Sequence, residues 1–437
     1  MLFLWSGCDQ HNPEELDSFT RNQINVWNKN LTSVIISDIF TPPVAARIYV
    51  YSHIAGYETM AAFDSDYLTL AGQLNGFDEI PAPPAPDQIY PPLAAINAFV
   101  QTGKHLVYNT DALEEEFQKV LQRIDEIGID DEIFENSLAY GQQVSQHVIE
   151  WTKNDGYIER QAMPRYVLED DPGKWQPTPP DYMPGIEPHW KTIRPLVLDS
   201  VNQFVPPPPT PFDTAKNSLF YQETMEVYEA VKSLDDERLE IAKFWDCNPN
   251  ISFTKGHVMF YHQKISPGGH WLSIASIATQ MEDLDMLERL KVFTLTSIAL
   301  NDAFISCWDE KYRSSLVRPE TYIDRYIDPD WRPILQTPAF PEYTSGHSVI
   351  SSAAATALTH LLGDSFSFAD SSEVDFGLPI RHFDSFYGAS EEAAISRLYG
   401  GIHYRPAIEN GVEQGIKVGK LINNRIKFHP DQLAKDE

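Results

Sequence analysis

This sequence predicts an all-α fold: two helix bundles joined by a long proline-rich loop, with the chemistry-bearing residues in the C-terminal bundle. Three observations lead there. Apolar residues recur at helical spacing through most of the chain. Val, Ile and Thr never alternate over enough residues to require a sheet. About a dozen prolines collect between Pro172 and Pro211, where no helix can run for long. With 437 residues the chain can bury one large core or two medium ones, and 42% hydrophobic content is ordinary for a globular protein.

The elements follow in order. MLFLWSGCDQ is a short apolar run ending at Cys8, the pattern of a bacterial lipoprotein signal in which the cysteine becomes lipid-modified. On that reading residues 1–11 are a signal remnant and tether, and the protein is exported, a periplasmic or outer-surface lipoprotein of a bacterium. A polar helix is expected from Asn12 to about Lys29. PPVAARIYVYSHIAGYETMAAFD reads as a buried helix opened by Pro42-Pro43, since proline lacks an N–H that the first turn leaves unused anyway. Pro91 to Val107, Asp111 to Gly128 and Asp130 to Trp151 keep the helical period with charged outer positions, completing an N-terminal helical domain over 12–171. The Pro-rich loop occupies 172–216, with PPPP at 206–209. Its Trp175 and Trp190 argue that it docks on the body, as a wall of the substrate channel. Helical pattern resumes at Asn217, breaks near Pro249 and at PGGHW (267–271), and ends in a helix around Glu409 to Lys427, giving a C-terminal helical catalytic domain over 217–437.

Charge narrows the function classes. A net charge of −30 argues against nucleic acid and anionic membrane surfaces as partners. After the first residues no stretch approaches about 18 uninterrupted apolar residues, so no membrane-spanning segment is expected. There is no GxGxxG, P-loop or CxxC pair. Cys247 and Cys307 permit one disulfide without demanding it. His257, His262 and His270 recur at uneven spacing with no carboxylate pattern beside them, and are not read as a metal site.

In so negative a chain, cations gathered in one place call for a local anion. In KYRSSLVRP, Lys311 and Arg318 are seven apart, nearly two helical turns, which puts both on one face of a helix that Pro319 stops. In FPEYTSGHSVISSAAATALTHLLG, Ser345 and Gly346 sit at a helix start. Unpaired N–H groups and the dipole there favour an anion, and His347 projects from the first turn. In SRLYGGIHYRP, Arg397 and His403 lie about 120° apart on an ideal helix, and Gly400-Gly401 permits a distortion that brings both to one site. Singly, these runs also fit a solvated basic face, an ordinary N-cap and a core histidine. Jointly they read as a pocket for a tetrahedral or trigonal-bipyramidal oxyanion.

Lys-x6-Arg-Pro, Ser-Gly-His and Ser-Arg-x5-His in this order resemble the signature of the vanadium-dependent haloperoxidase and type 2 phosphatidic acid phosphatase superfamily. One position departs: Thr344 stands where the family usually has proline before Ser-Gly-His. NDAFISCWDEK, with Asp302 and Trp308 ahead of Lys311, and Phe340-Pro341 ahead of Ser-Gly-His, resembles the bacterial haloperoxidase-like branch. The resemblance implies a vanadate cofactor, in a site that phosphate can also occupy. It makes His403 the vanadium ligand; Lys311, Arg318 and Arg397 the cations on the equatorial oxygens; and Ser345 Oγ and the Gly346 N–H donors to them. His347 is implied as acid–base at the apical oxygen, Lys311 as the group polarising bound peroxide, and Trp308 and Phe340 as pocket wall, Phe340 at a position that varies with halide preference.

The activity so implied is oxidation of iodide or bromide by hydrogen peroxide to hypohalous acid, with any organic acceptor left open. Two alternatives stand beside it: a soluble acid phosphatase working through a phosphohistidine at His403, and a non-catalytic oxyanion-binding surface lipoprotein. Chain length and the Asp302, Trp308 and Phe340 context favour the haloperoxidase. Two histidines argue against simple anion binding, which needs no proton shuttle. A metal-binding imidazole also needs an acceptor behind its other nitrogen, and no motif residue declares itself as that acceptor. Asp246 or Asn248, in FWDCNPN, is a candidate to orient His347 or Arg397, and Asp302 precedes the lysine helix by about two and a half turns; each also reads as an ordinary capping or surface residue.

Overall fold

The structure, a computed structural model, describes residues 12–433 apart from positions 250, 256, 257 and 262. The readings of Cys8, His257 and His262 therefore lie outside the described residues. The Asn12 side chain accepts from the Glu15 N–H and starts α1 (Pro13–Thr20), and α2 (Gln23–Ser37) follows after a break, so the single polar helix expected here is two. In α3 (Pro42–Ala61) every residue but Met60 is buried, as a helix apolar on all sides must be. Against it pack α4 (Pro91–Leu106) and α6 (Asp131–Thr152); α5 (Thr110–Ile127) lies on α2 and α4, and the short α7 (Tyr157–Gln161) follows α6.

The C-terminal half contains α8 (Leu219–Lys232), α9 (Asp236–Phe244), α10 (Pro267–Met281), α11 (Met286–Ser314), α12 (Pro319–Tyr326), α13 (Gly346–Leu362), α14 (Phe386–Tyr399), α15 (Arg405–Arg425) and α16 (Pro430–Leu433). Two antiparallel hairpins interrupt them: β1 (Ser252–Lys255) with β2 (Val258–Tyr261), and β3 (Phe368–Asp370) with β4 (Arg381–Phe383). Strands of three or four residues are too short for alternation to show in a sequence.

The organising element is α11. It is long and apolar enough to cross a membrane, yet 94% of its apolar window is buried inside the protein, so its hydrophobicity is that of a core helix. It packs on α3 on one side and α13 on the other. One apolar cluster accordingly runs from Ile48 and Phe99 through Phe293 and Leu300 to Val349 and Ile350. The α13–α15 contact is closer still. A Cβ added at Gly415 would lie 2.1 Å from the Val349 carbonyl oxygen, so only glycine lets these backbones meet.

Between Ala162 and Ser218 the chain forms one 3-10 turn, Trp190–Thr192, and no α-helix. This strap docks as its tryptophans imply: Trp175 and Trp190 are both buried. Asp302 of α11 pins it, accepting from the N–H groups of Leu196, Val197 and Leu198 at 2.7, 2.8 and 2.9 Å. Asp302 is therefore the anchor of the strap, with both oxygens turned to it, and is neither a cap nor a surface residue. Among the described residues Cys247 and Cys307 are free, buried thiols that do not pair.

Candidate active site

The three runs meet at one cleft, by a route that differs from the helical spacing in one respect. Lys311 and Arg318 do not share a helix. Ser315 adopts the left-handed region (φ 50°) and ends α11 at Ser314, and Arg318 becomes the N-cap of α12 with Pro319 at its first position. Proline's preference for a first turn, together with its effect on the preceding residue, breaks the chain before the second helical turn that the spacing suggested. Ser345 does cap α13, accepting from Ser348 N–H, and His347 sits in the first turn. Arg397 lies in the last turn of α14. Gly400 and the positive-φ Gly401 (79°) then turn the chain so that His403 falls in the link before α15.

Trp308, Phe340, Gly346, His347, Arg397 and His403 line a narrow cleft whose cavity is about 30 Å³, room for about one water-sized group. Lys311, Arg318 and Ser345 stand one layer behind it, all fully buried. The Lys311 Cε atom lies 3.9 Å from where a Gly346 Cβ would be, so the missing side chain keeps the cleft floor open beside the ammonium. Trp308 and Phe340 contact each other at 5.0 Å between ring centroids. The Lys311 ammonium sits 5.0 Å and the Arg318 guanidinium 5.1 Å from the centre of the Phe340 ring, within range of attraction to its face. A larger cleft near Glu14, Asp17, Tyr67 and Tyr90 contains none of the signature residues.

Hydrogen bonds fix the two imidazoles in complementary ways. His403 Nδ1 lies 2.8 Å from Glu342 Oε1, and Arg318 Nη1 lies 3.0 Å from His403 Nε2. Arginine can only donate, so Nε2 carries the lone pair and the ring proton is on Nδ1, facing the carboxylate. His347 instead bonds to the Trp245 carbonyl and leaves Nε2 buried with no partner among the described residues. Arg318 Nη2 and Arg397 Nε are buried and unpartnered in the same way, although Arg318 also donates to the Phe340 and Ile402 carbonyls and Arg397 to that of Trp245. Lys311 commits its ammonium to the carbonyls of Pro341, Glu342 and Thr344 at 3.1, 3.1 and 2.5 Å. Its charge reaches the cleft while its N–H groups are held by this loop.

Burial pushes both His347 and His403 well below the ordinary imidazole range, Arg397 adding to the first and Arg318 and Lys311 to the second. Both rings are neutral near pH 7. Burial also pushes Lys311 down to about 7 and Arg318 to about 10, so the pocket resists holding its cations without a counter-charge. Glu342 is pushed up to about 7 by burial, against the pull of Arg318 and Lys311.

A bacterial vanadium-dependent iodoperoxidase of known structure matches this chain at 46% identity and a TM-score of 0.87, the match covering 96% of this chain and 98% of the other. The chain belongs to the vanadium-dependent haloperoxidase family. The family model described as the VCPO second helical-bundle domain matches residues 291–432. A bacterial vanadium-dependent chloroperoxidase in its holo form shares the fold at 17% identity and a TM-score of 0.70, covering 89% of this chain and 93% of its own. No curated protein matches the chain.

Within this haloperoxidase the residue that sequence reasoning missed is Glu342. It lies 61 positions from His403 yet accepts from both the His403 ring and the Tyr404 N–H. The available signal was an acidic residue in the otherwise uncharged loop FPEYTSGH, three positions before Ser345. Asp246 is bound by Lys264 at 2.5 Å, and the carbonyl of its neighbour Trp245 is what holds Arg397 and His347. Asn248 lines the cleft. Thr344, in the place of the family's proline, accepts from Lys311 through its carbonyl and donates its hydroxyl to Gln414. Replacing Glu342 by Gln is expected to weaken oxyanion binding about 10–100-fold, the usual effect of losing the carboxylate behind a ligating imidazole. Titration with vanadate at constant ionic strength checks it.

Proposed function

We propose that this protein oxidises iodide or bromide with hydrogen peroxide to hypohalous acid, with vanadate held at His403. The supporting observation is that three side chains with buried, unpartnered nitrogens, Arg318 Nη2, Arg397 Nε and His347 Nε2, gather at His403: Arg318 bonds to its Nε2, and Arg397 and His347 line the same cleft. The two guanidinium nitrogens are buried donors, costly unless an anion accepts from them, and His347 Nε2 is a buried acceptor that a protonated oxygen of that anion can satisfy, so the residues present fit an oxyanion such as vanadate. When bound, vanadate supplies a Lewis-acidic centre that activates peroxide toward halide.

The chain's own contributions follow from the geometry. His403 is the ligand, because Glu342 holds the proton on Nδ1 and leaves Nε2 free to exchange Arg318 for the metal centre. Arg318, Arg397 and Lys311 would offset the negative charge of the bound oxyanion, and the Ser345 hydroxyl and Gly346 N–H would complete the cradle at the α13 N-terminus. His347 is neutral and carries an open lone pair at Nε2, so it would serve as the acid–base there, accepting and returning the proton that peroxide brings. Trp308 and Phe340 exclude water and present an apolar wall to the halide. The likeness to an iodoperoxidase supports iodide as the first substrate to test.

Purified protein, with and without vanadate, is assayed for peroxide-dependent iodide and bromide oxidation, and in vanadate-free buffer for phosphomonoester hydrolysis. Halide oxidation that requires vanadate is expected, and hydrolysis alone would overturn the assignment in favour of a phosphatase. His347→Ala is expected to keep vanadate and lose about 10²–10⁴-fold in turnover, the range for removing a general acid–base. Export as a Cys8 lipoprotein belongs to the same proposal, supported by the MLFLWSGC run. Lipid labelling that is lost in Cys8→Ala checks it.

A further inference from the structure

A second group of ionisable side chains, none of them an oxyanion donor, meets at the loop that follows α9. Cys247 Sγ lies 3.2 Å from His270 Nδ1 and 3.8 Å from Glu373 Oε1, and His270 Nδ1 lies 3.2 Å from that same oxygen. All three residues are buried, and they come from three separate places: the α9–β1 loop, the first turn of α10 and the segment after β3. The far ring nitrogen, His270 Nε2, lies 2.7 Å from Asp370 Oδ2. Asp370 is itself held through its other oxygen by the Ser372 N–H and hydroxyl at 3.0 and 2.6 Å.

We propose that Cys247, His270 and Glu373 form a binding site for a borderline-soft divalent cation, zinc in the first instance, with Asp370 orienting His270. The donor set is one thiolate, one imidazole and one carboxylate, the combination that zinc accepts. Bond lengths near 2.3 Å to sulfur and 2.0–2.1 Å to nitrogen and oxygen set tetrahedral edges of about 3.3–3.6 Å. The three donor–donor distances, 3.2, 3.2 and 3.8 Å, lie just outside that range on either side, so shifts of a few tenths of an ångström would close the site on a cation. Asp370 behind Nε2 keeps the ring proton there and leaves the Nδ1 lone pair turned to the sulfur and the Glu373 oxygen, the arrangement that ligating histidines adopt.

Hydrogen bonding alone is a weaker arrangement: the Nδ1 proton serves one of Sγ and Oε1, the thiol reaches Glu373 Oε1 only at 3.8 Å, and two carboxylates are buried around one imidazole. The ammonium of Lys264 in the same region is engaged by Asp246. A divalent cation answers both demands, with a fourth coordination position left for water.

The site is distinct from the oxyanion pocket but shares a wall with it. Cys247 lines the same cleft, and the Trp245 ring stacks on His270 with centroids 4.5 Å apart. The Trp245 carbonyl is the acceptor for Arg397 and His347. A bound cation would therefore clamp the short loop that positions two signature side chains.

The test reads metal, not turnover, so it stands or falls independently of the haloperoxidase assignment. Full-length protein is stripped with chelator, loaded with Zn²⁺ or Co²⁺, desalted and measured for metal content and for the thiolate-to-cobalt charge-transfer absorption. About one metal per chain is expected, with the charge-transfer band in the parent. Loss of the band and of bound metal in Cys247→Ser and Glu373→Gln is also expected, with Asp370→Asn keeping the stoichiometry at about 10–100-fold weaker affinity. The parent spectrum alone is decisive if a variant fails to fold. A parent that retains no metal, a cobalt form without the thiolate band, or equal loading of parent and Cys247→Ser would each overturn the proposal.

Discussion

His403→Ala is expected to abolish vanadate retention, lowering affinity by more than the roughly 10–100-fold that removal of a supporting carboxylate costs. The reason lies in the order of the bonds around this ring. Glu342 fixes the proton on Nδ1, and only a donor, Arg318, faces Nε2, so the His403 lone pair is held toward the pocket by a carboxylate, a support that the His347 ring, bonded to the Trp245 carbonyl, lacks. The cations and the α13 N-terminus would remain, and they suffice for weak, salt-sensitive binding of any oxyanion. Equilibrium dialysis against vanadate separates the two contributions. The parent should hold vanadate at high ionic strength, the variant should not, and free imidazole should restore part of the difference. Equal retention in parent and variant would show that His403 is not the ligand.

A large loss of stability is expected from Asp302→Ala, although the residue touches no part of the cleft's donor set. Its carboxylate accepts three consecutive backbone N–H groups of the strap inside the protein. Deleting it leaves those donors buried without an acceptor, each at about 1–3 kcal/mol, so a total of at least about 3 kcal/mol is expected. Asp302→Asn should cost less, because the amide oxygen still accepts. Denaturant unfolding of the three proteins at fixed pH gives the ordering directly. The strap also supplies the Ile186 carbonyl that accepts from Trp308 Nε1 at 3.2 Å and the Tyr312 hydroxyl at 2.6 Å. Loosening it should therefore raise the KM for peroxide or halide as well as lower the unfolding midpoint.

The two expected effects differ in how far a sequence could announce them. His403 is readable because Ser396-Arg397-x5-His403 carries its own local cues, above all Gly400-Gly401, where a turn is the natural outcome. Asp302 is visible as a charge in an apolar helix, but its partners lie 104–106 residues earlier and are backbone groups that leave no trace in side-chain pattern. Glu342 is hidden for the same reason. The 3.6-residue period finds helices well and misplaces one detail: spacing put Lys311 and Arg318 on one helix, and the left-handed Ser315 and Pro319 divide them between two. The short hairpins fall below the length at which alternation can be seen.

The cluster of Cys247, His270 and Glu373 marks the limit most clearly. Uneven histidine spacing argues against a metal site on local grounds, and the donors that matter are 23 and 126 residues from Cys247.

Sequence alone determined which segments are helical, where the oxyanion donors sit on them and which family signature they spell, because helix propensity, capping and turn chemistry act within a few residues. Tertiary structure decided which nitrogen of His403 faces the cleft, what holds the strap, and which buried groups share a proton or a cation. Those depend on atoms brought within 3 to 4 Å by the packing of α11 between α3 and α13, and chain separation hides such contacts from any local pattern.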